Sequence, residues 1–379
     1  MAFGKRTGVE DLLMKAIARL DPDALRRFCM AVYGRMGMAA EDAGYATDVM
    51  IAADVRGIPS HGVYLLPRHV EGIQIGRIVP DARLEVLRET PMSLVIDAHH
   101  AMGGAVGVRT MSAVLRKAET AGAAFASVRH STHFGIAGYY AAMAPEKNMI
   151  GVAMTNANPV GLPTFGRRGM FGTNPLAFAA PADQEAAFVL DMATTVVTNG
   201  RIELYGKEGK PLRPGWAVDQ DGQPATQAQE VFDGLVSGLC SILPLGGGGE
   251  DHGGHKGYNL ALMVDILSAA LCGGPMGPDV RTATASYPGP FLSHFFGAIS
   301  IAAFRDPAGF RSDMDRMLKR LREERPAAGR DRVYYAGLKE CEHAKDCARL
   351  GVPVERKTYE SLRELGKEMG IKPPAVREP

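Results

Sequence analysis

The apolar positions near the amino terminus recur with a helical period. A first helix is predicted to bury one face, composed of Val9, Leu12, Leu13, Ile17 and Leu20. The sequence Asp21-Pro22-Asp23 is typical of a helix start, because an Asp can cap free backbone amides and Pro fits the first turn. A second helix is therefore predicted from there to about residue 34, and a third from about residue 39 to 55.

The pattern changes from about residue 84, where short apolar runs are bounded by Gly, Pro and Asn. Such runs are typical of buried strands, and they predict strands at residues 94–96, 124–128, 149–155, 176–180, 188–191 and 295–304. Helical stretches are predicted between them at residues 109–121, 137–143 and 256–271. This alternation indicates an α/β fold.

The last 70 or so residues are again helical and charged in pattern. The order of helical, α/β and helical segments predicts that the two ends of the chain pack together. We therefore predict a mainly helical domain made of residues 1–80 and 306–379, with a central α/β domain at residues 81–305 inserted between its two parts.

Composition and charge narrow the classes of function. The chain has 379 residues, of which 46% are apolar and 22% are charged, close to the averages of globular proteins. With 43 Lys and Arg against 42 Asp and Glu, the net charge of +1 offers no basic field for a nucleic-acid backbone. We expect no nucleic-acid partner.

The cysteines and the amino terminus indicate the compartment. The five cysteines form no CxxC pair and no zinc-like spacing, which is typical of reduced thiols. The first 20 residues mix charged with apolar side chains, unlike a signal peptide. Since no apolar run approaches the length of a membrane span, we expect a cytoplasmic protein that does not enter the membrane.

Familiar nucleotide and metal motifs are missing. The G-x-G-x-x-G fingerprint is absent, because Gly103-Gly104-Ala105-Val106-Gly107 has the wrong spacing. Gly206-Lys207-Glu208 fails the Walker pattern, which needs Ser or Thr after the Lys. A metal site needs at least three converging ligands, whereas the sequence offers only the pairs His130/His133 and His252/His255, so no metal is predicted.

Two histidine motifs carry candidate acid–base chemistry. In Ser60-His61-Gly62 a turn can present the imidazole to a cleft, although Ser60 could simply cap the turn. In Ser131-Thr132-His133-Phe134-Gly135 the histidine follows a strand and precedes a helix, which is where ligands of α/β proteins bind. The alternative for His133 is a hydrogen bond to a backbone carbonyl.

Two asparagine turns and one aspartate complete the candidate site. Thr155-Asn156-Ala157-Asn158-Pro159 and Gly172-Thr173-Asn174-Pro175 predict rigid loops that could hold a ribose or carboxamide, although ordinary turn formation also explains them. Asp191 ends an apolar strand, where a buried carboxylate is costly unless it is paired. It is a candidate for orienting a histidine, or else a cap for the next segment.

These motifs, in this order, resemble those of the malate/L-lactate dehydrogenase family, which is distinct from the classical lactate and malate dehydrogenases. The family includes ureidoglycolate, sulfolactate, diketogulonate and cyclic-imino-acid enzymes. The resemblance extends from about residue 9 to 350. In it the earlier motifs lengthen to Ser60-His61-Gly62-Val63 and Asp191-Met192-Ala193-Thr194, and two further motifs are Leu243-Pro244-Leu245-Gly246-Gly247 and His255-Lys256-Gly257-Tyr258.

The resemblance implies a homodimeric oxidoreductase that uses NAD or NADP on a non-Rossmann α/β fold. It gives two assignments for proton transfer: His133 as proton acceptor, or a relay of Ser60, His61 and Asp191. It also implies that the cofactor contacts Ala157, Asp191, Met192, Ala193, Thr194, His255, Lys256, Gly257, Arg332 and Gly337. The asparagine turn at residues 172–175 adds Asn174 as a candidate cofactor contact.

Two departures from the family pattern concern the substrate and the cofactor. Leu65 stands where an Arg usually binds the substrate carboxylate. Tyr64 or Arg68 could replace it beside Ser60, His61 and His133, but a substrate other than a simple 2-hydroxy acid is the more economical explanation. Ala336-Gly337-Leu338 replaces the usual Pro-Gly-Glu. We expect hydride transfer between nicotinamide and a small 2-hydroxy/2-oxo acid or cyclic imino acid.

Two alternatives to this activity remain open. The first is a catalytically silent, small-molecule-binding member of the same fold, which the loss of the Arg at position 65 would explain. The second is a metal-dependent hydrolase that uses His130 and His133.

Overall fold

The computed structural model describes residues 17–281 and 288–377. Its strands, in chain order, are β1 Ile17–Leu20, β2 Glu85–Glu89, β3 Ser93–Asp97, β4 Ala123–Ser131, β5 Met149–Thr155, β6 Leu176–Ala180, β7 Phe188–Met192, β8 Ala217–Asp219, β9 Cys240–Ile242, β10 Leu292–Ser300 and β11 Val352–Glu355. Its helices are α1 Pro22–Arg35, α2 Ala40–Val55, α3 Leu66–Gln74, α4 Gly103–Ala121, α5 Ala137–Ala141, α6 Asn199–Lys207, α7 Ala228–Ser237, α8 Gly254–Ser268, α9 Pro307–Glu323, α10 Leu338–Leu350 and α11 Arg356–Met369.

The chain divides into two units. The first contains residues up to Ile75 together with those from Lys339 onward, and the second is Gly76–Leu338. Helix α9 thus falls in the second unit, although the sequence assigned residues 306–379 to the helical domain. The reason is its packing, because Leu318 of α9 shares an apolar cluster with Tyr335 and with Phe188 of strand β7.

In the first unit, the strand pair β1–β11 joins the two chain ends in antiparallel register. Residues 17–20 are therefore a strand and not the predicted helix, because long-range pairing with residues 352–355 outweighs the local helical pattern. The predicted positions Val9, Leu12 and Leu13 lie outside the described residues. The next two predicted helices are confirmed as α1 and α2, and Asp21 caps α1 by accepting a hydrogen bond from the Ala24 amide at 2.9 Å.

The second unit is built on a seven-stranded sheet with the order β2-β3-β4-β10-β5-β6-β7. Within the described ranges, β3 and β4 form its one parallel pair, and all other neighbours are antiparallel. A Rossmann sheet is mostly parallel, so the missing glycine fingerprint agrees with a different α/β fold. The strand predicted at residues 295–304 ends at Ser300, because Ile301–Ala303 form a 3-10 turn.

Helices cover both faces of this sheet. His294 and Phe296 of the central strand β10 point to one face, where they contact Phe134, while Phe295 points to the other and packs with Met154 and with Val264 of α8. Helix α4 starts six residues before its predicted beginning at Arg109. In the part of the chain that has been described, no helix is both long and apolar enough to cross a bilayer.

The register of the sheet brings the sequence motifs to one end of it. Leu292 pairs with Ser131 at the end of β4, and His294 pairs with Thr155 at the end of β5. The start of β6 at Leu176 pairs with Met154 and with Met192 at the end of β7. The loops that carry His133, Ala157, Asn174 and residues 191–194 therefore all leave the sheet at the same end.

Candidate functional site

Asn174 supports the loop that carries Ala157. The Ala157 amide donates to Asn174 Oδ1 at 3.1 Å, and Asn174 Nδ2 donates to the Ala261 carbonyl of α8 at 2.9 Å. Asn174 is fully buried, so both of its amide atoms serve bonds within the protein. The structure thus places Asn174 beneath the Ala157 loop as a support.

Residues 191–194 connect that loop to the glycine-rich segment at residues 245–249. The Thr194 amide donates to the Thr173 carbonyl at 2.9 Å, and the Thr194 carbonyl accepts from the Leu245 amide at 2.9 Å. Predicted cofactor contacts that lie far apart in sequence are therefore held together by backbone hydrogen bonds.

The glycine-rich segment packs directly against the first turn of α8. A Cβ on Gly257 would lie 2.2 Å from the Leu245 carbonyl oxygen, and one on Gly254 would lie 2.0 Å from that of Gly247. Only glycine permits this approach. In residues 17–281 and 288–377, no side chain caps the start of α8 and none bonds to the buried Nδ1 of His255, while Lys256 is exposed. Such a helix start favours a phosphate or another anion.

The two predicted cofactor contacts near the carboxyl terminus, Gly337 and Arg332, differ in their surroundings. Gly337 adopts a φ of 94°, and a Cβ there would lie 2.9 Å from the Val189 amide nitrogen. That amide donates to the Ala336 carbonyl at 3.0 Å, so Gly337 lies along strand β7. Arg332 is exposed, and its guanidinium carbon lies 4.3 Å from the ring centroid of Tyr334.

His133 combines an exposed ring with a rigid backbone. On one side, Thr132 Oγ1 accepts from the Gly103 amide at 2.9 Å and donates to the Ala101 carbonyl at 3.0 Å. Gly103 packs so closely that a Cβ on it would lie 2.6 Å from the His133 carbonyl oxygen. The His133 Nδ1 atom accepts from the Gly135 amide at 3.4 Å, which leaves the ring proton on Nε2 in the neutral form.

Asp191 is exposed, not buried as the sequence suggested, because β7 is an edge strand. Its Oδ2 atom accepts from the Gly138 amide at 2.7 Å, in the first turn of α5. The carboxylate therefore caps α5, the helix that follows His133, and not the segment after Thr194. It anchors the chain five residues beyond His133.

In the first unit, His61 lies on a 3-10 turn at Pro59–His61, and its Nδ1 is 3.0 Å from Ser60 Oγ. Burial lowers the pKa of His61 to about 4, so the ring is neutral at neutral pH.

The same turn is supported by Asp54 at the end of α2. The Val63 amide donates to Asp54 Oδ2 at 2.8 Å, and burial raises the pKa of Asp54 to about 8. A Cβ on Gly62 would lie 1.9 Å from Asp54 Oδ1, so glycine is required there.

Tyr64 and Arg68, the predicted substitutes for the missing arginine, contact each other. Arg68 Nη2 donates to the Tyr64 hydroxyl at 2.6 Å, and the guanidinium carbon lies 4.8 Å from the Tyr64 ring centroid. Arg68 is exposed and Leu65 is half-buried. The first unit thus holds Ser60, His61, Tyr64 and Arg68 within nine residues of one another.

The metal alternative finds little support in the geometry around His130. Its Nδ1 lies 2.9 Å from Asp97 Oδ2, which also accepts from Arg129 Nε at 2.9 Å. Among the residues that the structure describes, no three His, Cys, Asp or Glu side chains are placed to share a metal ion.

Sequence reasoning missed four buried carboxyl and imidazole side chains: Asp54, Asp97, Asp265 and His294. Each interrupts or ends an apolar run, the same signal that identified Asp191. Asp265 accepts from the Gly277 amide at 3.1 Å, and burial raises its pKa. These residues support the loops from beneath.

The chain matches known proteins over nearly its full length. A family model described as malate/L-lactate dehydrogenase matches residues 20–363. The malate dehydrogenase of Pyrococcus horikoshii is 40% identical over 353 residues, which are 93% of this chain and 96% of that protein. The crystal structure of malate dehydrogenase from Entamoeba histolytica has a TM-score of 0.92 at 32% identity, covering 94% of this chain and 99% of that one. The ureidoglycolate dehydrogenase (NAD(+)) of Escherichia coli K12 is 28% identical over 86% of this chain and 89% of its own length.

Proposed function

Because the chain belongs to the malate/L-lactate dehydrogenase family and is thus a dehydrogenase, we propose that it transfers a hydride between NAD or NADP and a small 2-hydroxy/2-oxo acid or cyclic imino acid. The observation that carries this proposal is the convergence of the Ala157 loop, residues 191–194 and the start of α8 at one end of the sheet. The relatives named for malate and ureidoglycolate support a small acid as substrate.

The donor set fits a dinucleotide. The uncapped start of α8 with Lys256, together with the unpartnered Nδ1 of His255, would hold the phosphates. The Ala157 loop and residues 191–194 would hold the rest of the cofactor, with Gly337 alongside β7 and Arg332 at the rim. The nicotinamide supplies or accepts the hydride when bound, and the protein orients it. The relative named with NAD(+) favours NAD.

Reduction of a carbonyl also needs one proton, and we assign its transfer to His133. Protonated His133 can donate a ring proton to the substrate oxygen and becomes the neutral imidazole, which takes a proton back in the reverse direction. Asp191 contributes by fixing the start of α5.

The relay of Ser60, His61 and Asp191 is the second assignment for proton transfer. Its first step is compatible with the 3.0 Å contact between Ser60 Oγ and His61 Nδ1. Because the His61 ring is neutral at neutral pH, it is suited to accept a proton from a hydroxy acid.

Substrate choice is tested with purified protein, NADH and NADPH, and a panel of 2-oxo acids, cyclic imino acids and sulfonated or ureido analogues. We expect oxidation of reduced nicotinamide by at least one class of the panel. Cofactor binding without turnover on the whole panel would favour the silent alternative, in which Leu65 has removed the carboxylate clamp. Leu65→Arg is the matched variant, and we expect it to lower KM for substrates with a free carboxylate.

We also propose that the protein is a homodimer, joined through the outward face of α8 and the turn after it. Met263, Ile266 and Leu271 are 36%, 46% and 57% exposed there, an apolar surface typical of an interface. Sedimentation should give twice the chain mass of 40.5 kDa, and Ile266→Glu should give a monomer. Met92→Glu, at an apolar residue exposed elsewhere, is the control.

We propose a cytoplasmic location because the cysteines are free thiols. All five cysteines are free in the structure, and three of them are buried, which suits a reducing compartment.

A further inference from the structure

His294 lies at the centre of the sheet and contacts both strands that carry the candidate site. It is fully buried on strand β10, with Ser131 of β4 on one side and Thr155 of β5 on the other. Its Nε2 atom lies 2.7 Å from Ser131 Oγ, and its Nδ1 atom lies 2.8 Å from Thr155 Oγ1. One imidazole therefore connects the strand end before His133 with the strand end before Ala157.

The hydrogen bonds around it favour one tautomer, because the other acceptor of the Ser131 hydroxyl, the Thr132 carbonyl, lies at 3.5 Å. The Thr155 hydroxyl donates its proton to the carbonyl of Asn156 at 2.9 Å or of Ser293 at 3.1 Å, so it accepts from the Nδ1–H group of His294. Nε2 then carries the lone pair and accepts from the Ser131 hydroxyl. Burial lowers the pKa of His294 to about 3, which keeps the ring neutral at all pH values where the protein would work.

The same ring supports the residue next to His133. It stacks on Phe134 with ring centroids 4.5 Å apart and planes inclined by 11°. Phe134 is fixed a second time by Tyr140 of α5, whose hydroxyl donates to the Phe134 carbonyl and whose ring stands against Gly107 of α4. All of these aromatic side chains are buried.

We propose that His294 is a positioning residue which, through two separate hydrogen bonds, sets the geometry of proton transfer at His133 and of cofactor binding at the Ala157 loop. The Ser131 bond serves the first task, and the Thr155 bond serves the second. This inference rests on the proposed dehydrogenase function and assigns two parts of it to the two nitrogens of one side chain.

Two substitutions separate the two bonds. In His294→Asn, the side-chain amide nitrogen takes the place of Nδ1 and can still donate to Thr155, while the Ser131 bond is lost. In His294→Gln, the side-chain oxygen takes the place of Nε2 and can still accept from Ser131, while the Thr155 bond is lost. Val264→Ala, a buried substitution on the opposite face of the sheet, is the control for general loss of packing.

We expect His294→Asn to lower kcat about tenfold and to shift its pH profile while the Kd for NADH stays near wild type. His294→Gln should raise the Kd for NADH about tenfold with the pH profile of kcat unchanged. Val264→Ala should change neither kcat nor the Kd for NADH. If the two histidine variants alter kcat and Kd in the same proportion, or alter neither, the inference is overturned although the wild type is an active enzyme. A wild type that neither binds NADH nor turns over would refute the proposed function itself, and this inference with it.

A measurement on the unmodified protein covers the case in which the variants do not fold. The ring ¹⁵N shifts of His294 should show a protonated Nδ1 and an unprotonated Nε2, unchanged from about pH 5 to pH 9. The opposite tautomer, or titration within that range, would overturn the assignment of the two bonds.

Discussion

The two candidate imidazoles are supported in opposite ways. His133 presents an exposed ring from a backbone that is fixed by backbone and aromatic neighbours: Thr132, Gly103 and Phe134. His61 has a half-buried, neutral ring on a short turn that the ionisable side chain of Asp54 supports. The first arrangement is indifferent to pH, whereas the second depends on the protonation of its support.

The difference suggests a division of tasks. The exposed ring of His133 can exchange protons directly with the substrate. The neutral ring of His61 can accept a proton only from a neighbouring group that donates one to it. We therefore compare the two histidines by removing each imidazole and then substituting Gly62 and Gly103. Substitutions of Asp54 and of Ser60 beside His61 follow.

Removing the His133 imidazole should have the largest effect. We expect His133→Ala to lower kcat by about 10²–10⁴-fold, the usual contribution of a general acid, with little change in the Kd for NADH. The control is His99→Ala, because His99 is half-exposed and pairs with Glu85 at 2.8 Å. Steady-state rates and a fluorescence titration give both numbers. Unchanged turnover would remove His133 from the mechanism.

His61→Ala tests the other imidazole in the same assay. If the relay operates, kcat should fall within the same range of about 10²–10⁴-fold, and Ser60→Ala should reproduce part of the loss. A fall in stability with normal kcat would instead show that His61 is structural, and the assignment would rest on His133 alone.

The glycines beside the two histidines should differ in whether they can be rescued. Gly62→Ala and Gly103→Ala should each cost about 3 kcal/mol of unfolding free energy, since both overpack a buried contact. At Gly62 the clash is with the Asp54 side chain, and adding Asp54→Ala should recover part of the loss. At Gly103 the clash is with the backbone of Thr132 and His133, so no single truncation can relieve it. Urea unfolding of the single and double variants decides this, and an absence of rescue at Gly62 would contradict the described contact.

Asp54 should make the first unit lose stability as the pH rises from about 4 to about 8. Its pKa is raised to about 8 in the folded state from 3.8, so the unfolded chain releases its proton first and stability is lost as pH rises between these values. Asp54→Asn cannot ionise and keeps an oxygen for the Val63 amide. Relative to wild type it should gain up to about 1.4 kcal/mol per pH unit across that window. Urea unfolding at several pH values measures the slope, and parallel curves would refute it.

The smallest effect is expected at the Ser60 hydroxyl. Ser60→Ala removes the 3.0 Å contact with His61 Nδ1, which should cost about 1 kcal/mol and lower kcat by about fivefold if the relay contributes. Thr90→Ala, which removes an exposed hydroxyl bond between β2 and β3, is the control. An unchanged rate would limit Ser60 to capping the turn.

Much of the fold could be predicted from local pattern. The strands from β3 to β7 were predicted from short apolar runs that recur at regular intervals, and the motifs that follow those runs do meet at one end of the sheet. The order of the strands could not be predicted, since the insertion of β10 between β4 and β5 depends on pairing over more than 130 residues. The β1–β11 pair escaped prediction for the same reason.

The sequence predicted the loop residues that line the candidate site but not the buried residues that support them. Residues with glycine and proline neighbours, such as His133 and Ala157, have a local signature. The supports beneath them do not, because an ionisable residue such as His294 in an apolar run reveals that it is buried and paired, but not with which partner. Tyr64 and Arg68 are four residues apart, about one helical turn, so their contact could have been expected from this spacing.

The central claim is that one end of the seven-stranded sheet binds the cofactor. Hydrogen–deuterium exchange of the wild-type protein with and without NADH tests it without assuming a substrate. We expect slower exchange at residues 155–157, 191–194 and 245–257 when NADH is present. Protection confined to other parts of the chain, or none at saturating NADH and NADPH, would contradict it.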